Sequence, residues 1–407
     1  MSTLTDETIA STPAGDTNGP GPEPGSIAAA LEARGIHRRT FLKFCAMLTA
    51  ALALPMPYTR RIAHALEQEA TARPSLVWLH LQSCTGNTMS LVRARDPALS
   101  ELILDLLSVD YQKVLMAAAG EQALAAKDDA VAEGGHLLVV EGSVPLEEPT
   151  CTIGGKSARQ VLEEAAEGAA AIINVGTCSA YGGLPMASPN PTRAVGVPDI
   201  VSGVPIIDLP GCPANPVNMV ATVVHYLTFE SLPATDRLRR PLFAYGERIH
   251  DVCERRAYFD AGQFAQEWGD EGHRKGWCLY RLGCKGPSTF HNCSVVRWNE
   301  GTSWPIAAGH GCVGCSEPAF WDTMTPFYRR LPDVPGFPTD VTATQIGLGV
   351  VGLTAAGFGA HGVVKAVQRR AGDGDGDAEP ARAPAGDEAA ANAESTARPD
   401  DSEGGEG

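Results

Sequence analysis

The chain has 407 residues, 44% of them hydrophobic, with 48 acidic side chains against 32 Lys and Arg and a formal charge of −16. Such a balance argues against a nucleic-acid binder, which needs clustered Lys and Arg for phosphate contacts. About 300 residues of ordinary composition between the ends exclude a wholly disordered chain and a polytopic membrane protein and suffice for two domains with cores.

The charge is unevenly placed. Residues 1–36 hold five acids and Arg34, and read as a disordered N-terminal extension; residues 37–65 hold five bases and no acid. Within the latter, His37-Arg38-Arg39-Thr40-Phe41-Leu42-Lys43-Phe44 precedes an apolar run from Cys45 to Leu54 and then Ala63-His64-Ala65. A charged region, an apolar stretch too short to span a bilayer and an Ala-x-Ala-like site in that order read as a twin-arginine signal. Export by the twin-arginine route, to the outer face of the cytoplasmic membrane or a periplasm-like space, is therefore expected. The route carries folded proteins, which suits a chain loaded with cofactor in the cytoplasm. The alternative is a buried amphipathic helix that happens to contain Arg-Arg, in a cytoplasmic protein; the long stretch ahead of the arginines departs from the usual leader.

Three short β-type runs follow, Leu76 to Leu81, Ala171 to Val175 and Val204 to Leu209, with helical stretches such as Val161 to Gly168 between them. That alternation predicts a parallel α/β sheet. Each run ends shortly before a single cysteine, Cys84, Cys178 or Cys212. Ligands gather at the carboxyl ends of strands in open parallel sheets, so these three are expected to converge. Farther on, His250 and Cys253 form H-x-x-C, Cys278 and Cys284 frame a Gly-containing turn, and Cys312 and Cys315 form C-x-x-C. Ile346 to Val364 is long enough for a membrane anchor, with Lys365, Arg369 and Arg370 beyond it, but its many glycines equally suit a helix packed closely on protein. Residues 371–407 hold eleven acids against Arg382 and Arg398 and have no aromatic residue, so they read as a disordered acidic tail.

Eleven cysteines in an exported chain would ordinarily mean disulfides. Two Cys three apart rarely make a good structural bridge but can reach one metal or cluster, and the recurrent Gly beside Cys lets backbone approach inorganic sulfide. Structural zinc is the other reading, although its ligands arrive as compact pairs, not single residues at strand ends. A disulfide- or zinc-stabilised exported interaction module is thus the rival to an iron-sulfur protein.

The stretches SCTGNTMSLVRA (83–94), VEGSVP (140–145), CTIGG (151–155), NVGTCSAYGG (174–183), DLPGCPANP (208–216), HDVCERRAYFDAGQF (250–264), GWCLYRLGCKGPSTFHNC (276–293) and WPIAAGHGCVGCSEPAFWD (304–322) resemble the small, iron-sulfur subunit of nickel-iron hydrogenases. The resemblance covers residues 37 to about 366 and points to the uptake type with a twin-arginine leader, the actinobacterial-type high-affinity lineage among its candidates. It implies an α/β flavodoxin-like parallel-sheet domain over 74–245, a loop- and helix-rich iron-sulfur domain over 246–330 and a C-terminal helix over 341–370. Two 4Fe-4S clusters and one 3Fe-4S cluster would be bound. The proximal cluster would take Cys84, Cys178 and Cys212. The distal 4Fe-4S cluster would take His250, Cys253, Cys278 and Cys284. The medial 3Fe-4S cluster would take Cys293, Cys312 and Cys315, with Pro305 near where a fourth cysteine could sit. Cys151 is left over and reads as a small buried residue.

The departure is at the proximal site. The family's second proximal cysteine is Asn87 here, and the acidic residue often found two positions later is Met89. Asn87 or a water completing the cluster through oxygen, a nearby side chain doing so, and a cluster short of one iron all stand open, as does Asn87 merely hydrogen-bonding the cluster. No residue of this chain is an acid-base catalyst in this reading. Implied partners are a large subunit that holds nickel and iron, in a dimer of such heterodimers, and an electron acceptor such as a membrane cytochrome or quinone-linked protein. Lys285 and Arg256, beside distal ligand positions, would shape the exit face or lie on a solvated surface. A related quinone-reductase-type subunit shares the plan of the first domain and would lack the block from His250 to Cys315.

Overall fold

The computed structural model describes residues 38–72, 74–93, 107–299, 301–328 and 343–372; the extension 1–36 and the tail from 373 onward lie outside the described residues. Five strands, β1 (Ser75–His80), β2 (Ser108–Gln112), β3 (Leu137–Glu141), β4 (Ala171–Val175) and β5 (Ile206–Leu209), form one parallel sheet in the order β2-β1-β3-β4-β5. That is the flavodoxin-like order, with its reversal between β1 and β3. The register pairs Leu76 with Leu137, Val139 with Ile173 and Asn174 with Asp208, which aligns the carboxyl ends of the inner strands.

Both faces of the sheet are covered, as near-continuous apolar strands require. Side chains alternate across a strand, so Leu76, Trp78, Val139 and Ile173 enter one core while Val77, Leu79, Val140 and Ile172 enter the other. On the second face lie α4 (Gly120–Glu133) and α5 (Ala158–Ala166), the latter opened by a Ser157–Gln160 capping box. Cys151 is half-buried against this core. On the first face lies α7 (Pro216–Phe229), capped by Asn215.

The segment read as a leader also packs on the first face. Residues Arg38–Ala51 form α1 and Tyr58–Ala72 form α2, and Phe44, Cys45, Leu48, Ile62 and Leu66 are fully buried in the same core as β1 and α7. The Thr49 hydroxyl meets that of Thr59 at 3.0 Å, and Arg61 lies over the Phe229 ring at 4.7 Å. This is the geometry of the alternative reading, an amphipathic helical pair, and it places Ala63 and Ala65 inside a packed helix.

Residues 246–328 hold short helices, Arg256–Asp260, Glu271–Arg274, Cys293–Val296 and Phe320–Thr323, joined by loops. They belong to the same compact unit as the sheet, while residues from 345 onward form a second unit. In the second unit the helix α8 (Ala343–Gly372) contains 21 residues, Leu348–Gln368, apolar enough to cross a membrane, and Val351, Leu353 and Phe358 among them are exposed. At 1.5 Å per residue those 21 residues reach about 31 Å, the thickness of a hydrocarbon core.

Leu48→Ala removes side-chain volume from a core site with 0% exposure and should cost about 2–4 kcal/mol. Urea unfolding of the chain with residues 38–72 retained measures it; an unchanged midpoint would show that the leader pair contributes nothing to the folded core.

Candidate iron-sulfur site

The three strand-end cysteines do meet. Cys84 follows β1, Cys178 opens α6 (Thr177–Tyr181) after β4, and Cys212 follows β5; their thiolates act on one another electrostatically. Burial, with these neighbours added, pushes the Cys178 thiol up to about 12 and Cys212 up to about 11. Close approach depends on glycine here. A Cβ on Gly183 (φ 62°) would fall 2.4 Å from Cys178 Sγ, and one on Gly176 (φ 89°) 2.5 Å from Asn87 Nδ2.

Asn87 sits in the first turn of α3 (Gly86–Val92), entered through a left-handed Thr85 at φ 66°. Its Oδ1 accepts the Ala214 N–H at 2.8 Å. Beneath it, the buried Glu141 carboxylate at the end of β3 accepts the N–H of Asn87 (3.0 Å), the N–H of Thr88 (3.1 Å) and the Thr88 hydroxyl (2.6 Å). The orientation of His80 follows from its neighbours. Gln112 Oε1 accepts the N–H groups of Val114 and Leu115, so its Nε2 donates, and His80 Nε2 must accept at 3.0 Å. That leaves the proton on Nδ1, which faces Glu141 Oε2 at 3.6 Å. Burial holds His80 below its ordinary pKa, in keeping with this neutral tautomer.

The second set also comes together: His250, Cys253, Cys278 and Cys284 line one cavity with Phe259, Tyr280 and Ile306. His250 stacks edge-on against Phe259 at 4.6 Å, and burial, then Arg256, lowers it to about 4. A neutral imidazole is thus available near pH 7, the form that binds metal. Burial raises Cys253 to about 11 and Cys278 to about 12.

In the third set, Cys293 and Cys312 are buried in one cluster with Trp304, and Cys315 acts electrostatically on both. All eleven cysteines are free thiols. Among the described residues no three His, Cys, Asp or Glu side chains lie close enough to hold a single metal ion. The trios are thus spaced more widely than the roughly 2.3 Å Zn–S bonds of one zinc demand. The buried Trp304 indole N–H has no acceptor, and sulfur already accepts backbone N–H groups of Arg255, Cys312 and Gly314, each at 3.4 Å. An inorganic sulfide would supply the missing acceptor. The donor set therefore fits iron-sulfur clusters better than zinc.

One of the expected placements differs. Lys285 is neither at an exit face nor on a solvated surface: it is 2% exposed between the Cys284 and Cys312 thiols, and its Nζ donates to the Pro326 carbonyl at 3.3 Å. Arg256 does reach the surface, paired with Asp251 and Asp260. Sequence reasoning also missed Glu141 and Thr177; the signal for the former was an acid closing an apolar strand in VEGSVP.

Comparison with known proteins matches two families to successive parts of the chain. A family described as NADH ubiquinone oxidoreductase, 20 Kd subunit, matches residues 84–226, and the family of the C-terminal part of NiFe/NiFeSe hydrogenase small subunits matches 245–328. An uptake hydrogenase small subunit of Azotobacter vinelandii is 45% identical over 349 residues, covering 85% of this chain and 97% of that protein. The chain belongs to the nickel-iron hydrogenase small subunits. A quinone-reactive Ni/Fe-hydrogenase small chain of Wolinella succinogenes is likewise 45% identical, over 82% of this chain and 97% of that one. Among solved structures, the [NiFeSe]-hydrogenase of Dm. baculatum matches with a TM-score of 0.59 at 33% identity, over 63% of this chain and 99% of its own. An actinobacterial-type NiFe-hydrogenase from Ralstonia eutropha H16 matches with 0.60 at 25%, over 70% and 91%. This hydrogenase small subunit is the iron-sulfur, electron-transfer component of an oxidoreductase and works with a large subunit. The block 245–328 separates it from the quinone-reductase-type subunit.

Gly176→Ala would crowd Asn87 and strain a positive φ, at a cost of about 1–3 kcal/mol, and should lower iron bound per subunit. Gly155→Ala, at φ 81° with nothing within 4 Å, is the strain-only control and should leave iron content unchanged. A second prediction concerns Asp208, which burial raises to about 7 against the pull of Asn174 and Arg239. Unfolded, this carboxyl titrates near its ordinary value of about 3.9. Between the two values the folded state holds the extra proton, so this group's contribution to stability falls as pH rises from about 4 to 7. Unfolding free energies of the Asp208→Asn variant should lose that decline; identical pH profiles would contradict it.

Proposed function

We propose that the three side-chain sets hold three clusters in series. Cys84, Cys178 and Cys212 bind the proximal cluster, Cys293, Cys312 and Cys315 a medial 3Fe-4S cluster, and His250, Cys253, Cys278 and Cys284 a distal 4Fe-4S cluster. When bound, the clusters supply one-electron redox chemistry. The observation that carries the order is the adjacency of the sets. Cys315 raises the pKa of Cys212 at one junction, and at the other the Cys312 N–H donates to Cys284 Sγ at 3.4 Å. The residues of this chain orient the clusters, exclude water from the medial one through the buried Cys293, Cys312, Trp304 and Ile306, and place Lys285 between the medial and distal thiols.

Burial keeps most of these thiols protonated near neutral pH until metal arrives, so loading must release protons. The exposed edges of Cys84 and Cys212 mark the face that a large subunit would cover. The acceptor is a membrane cytochrome or quinone-linked protein, supported by the quinone-reactive relative and by the apolar α8, which anchors the enzyme to a membrane. Once α1 and α2 leave the sheet of the otherwise folded chain, their paired arginines direct export by the twin-arginine route, and a dimer of heterodimers is the expected assembly.

Electron paramagnetic resonance of the purified heterodimer tests the assignment. Cys293→Ser should abolish or broaden the oxidised 3Fe-4S signal and leave the reduced 4Fe-4S signals in place; an intact 3Fe-4S signal would contradict it. Chain termination after residue 342 should move the enzyme from membrane to soluble fractions, and the joint change Arg38→Lys with Arg39→Lys should retain it in the cytoplasm. An unchanged distribution in either case would remove that part of the reading.

A further inference from the structure

Asn87 stands where a fourth proximal thiolate would complete the set, and its surroundings decide what it does. The Ala214 N–H is a donor, so the amide atom facing it at 2.8 Å has to be the oxygen. Turning the amide over would set NH2 against N–H and lose that bond inside a buried turn. The amide cannot swing aside either, since it lies against the backbone of Gly176 so closely that a Cβ there would fall 2.5 Å from Nδ2 and 2.7 Å from Oδ1. The main chain at Asn87 is fixed as well, through its N–H on Glu141 at 3.0 Å. Oδ1 keeps a second lone pair but is already bound by Ala214, and Nδ2, which carries two hydrogens and a lone pair delocalised into the carbonyl, is the amide atom with no hydrogen bond among the described residues. Such a nitrogen donates hydrogen bonds and does not ligate iron.

Four of the neighbouring oxygen-bearing side chains are engaged elsewhere. The Thr88 hydroxyl is bound to Glu141 at 2.6 Å, Glu141 accepts three donors, the Ser90 hydroxyl donates to the Ala214 carbonyl at 2.9 Å, and the Ser179 hydroxyl donates to the carbonyls of Val175 and Gly176. Met89 is exposed and offers only a neutral thioether.

Resting on the ligand sets proposed above, we propose that Asn87 is a hydrogen-bond donor to the proximal cluster and not its ligand, and that one iron there takes its fourth ligand from solvent, as water or hydroxide. The cluster then carries three thiolates in place of four. Because potential rises as net negative charge falls, it sits at a higher potential than the same cluster with a fourth cysteine.

The test is electron-nuclear double resonance on the reduced heterodimer exchanged into 17O-enriched water, with iron counted per heterodimer. Wild type and Asn87→Ala should both show a 17O coupling at the proximal cluster with the same iron content. Asn87→Cys should lose the coupling and lower the proximal potential. No coupling in wild type but a new one in Asn87→Ala would make Asn87 the ligand and overturn the proposal. Absence of coupling from both, with one iron fewer than Asn87→Cys, would mean that the fourth iron is missing, and would overturn it too. No coupling in wild type but a new one in Met89→Leu would transfer the role to the thioether and overturn the proposal. Cys84→Ser separates the two levels: if it leaves the proximal signal untouched, the ligand assignment itself is wrong.

Discussion

The site depends on letting backbone from separate strand ends come within van der Waals contact of a shared space. Parallel pairing aligns the ends of β1, β3, β4 and β5, but alignment alone would fill the space with side chains. Gly176 and Gly183 leave it open, and the turn between them carries Cys178. The Glu141 carboxylate then gathers the N–H groups of the α3 turn from below, so that Asn87 is fixed from its main chain and its side chain at once. His80 and Gln112 complete the arrangement by a hydrogen-bond order that admits one tautomer.

A second buried polar seam joins the sheet to the loop-rich region. Arg240 bonds Asp236 at 2.8 Å and Glu317 at 3.0 Å, and Glu317 also accepts the Phe290 N–H. Asn218 and Asn292 exchange amide hydrogen bonds at 2.9 and 3.0 Å, and the Thr177 hydroxyl accepts from Gly211 while donating to the Cys315 carbonyl. Breaking one partner of such a network leaves a buried charge or donor unsatisfied, which costs more than the pair contributes. The seam therefore fixes register, and register sets the separation between the Cys212 and Cys315 thiols. Electron transfer is sensitive to that separation, so the interface needs specificity more than strength.

The parts of this legible in sequence were those set by local pattern. Apolar runs ending just before Cys84, Cys178 and Cys212 gave the parallel sheet and the convergence, the spacings marked His250 with Cys253 and Cys312 with Cys315 as pairs, and the grouping into two further sets came from the family resemblance. The Cys45–Leu54 run was ambiguous because an apolar period beside paired arginines serves a leader and a packed helix alike; the structure shows it packed, with Leu48 fully buried. Lys285 was misplaced because a single lysine carries no sign of what folds over it. The role of Glu141 rests on residues 53 and 54 positions away in the chain, and no local pattern encodes that. In residues 246–328 regular structure is scarce, so the thiols themselves, not hydrophobic period, were the readable signal.

The central claim is that the ten proposed residues are cluster ligands and not structural thiols. Iron, acid-labile sulfide and zinc measured on the purified heterodimer test it most directly. The expected result is about eleven irons per heterodimer beyond the iron of the large subunit, with sulfide matching those eleven and no stoichiometric zinc. Zinc without labile sulfide, or iron equivalent to fewer than three clusters, would contradict it.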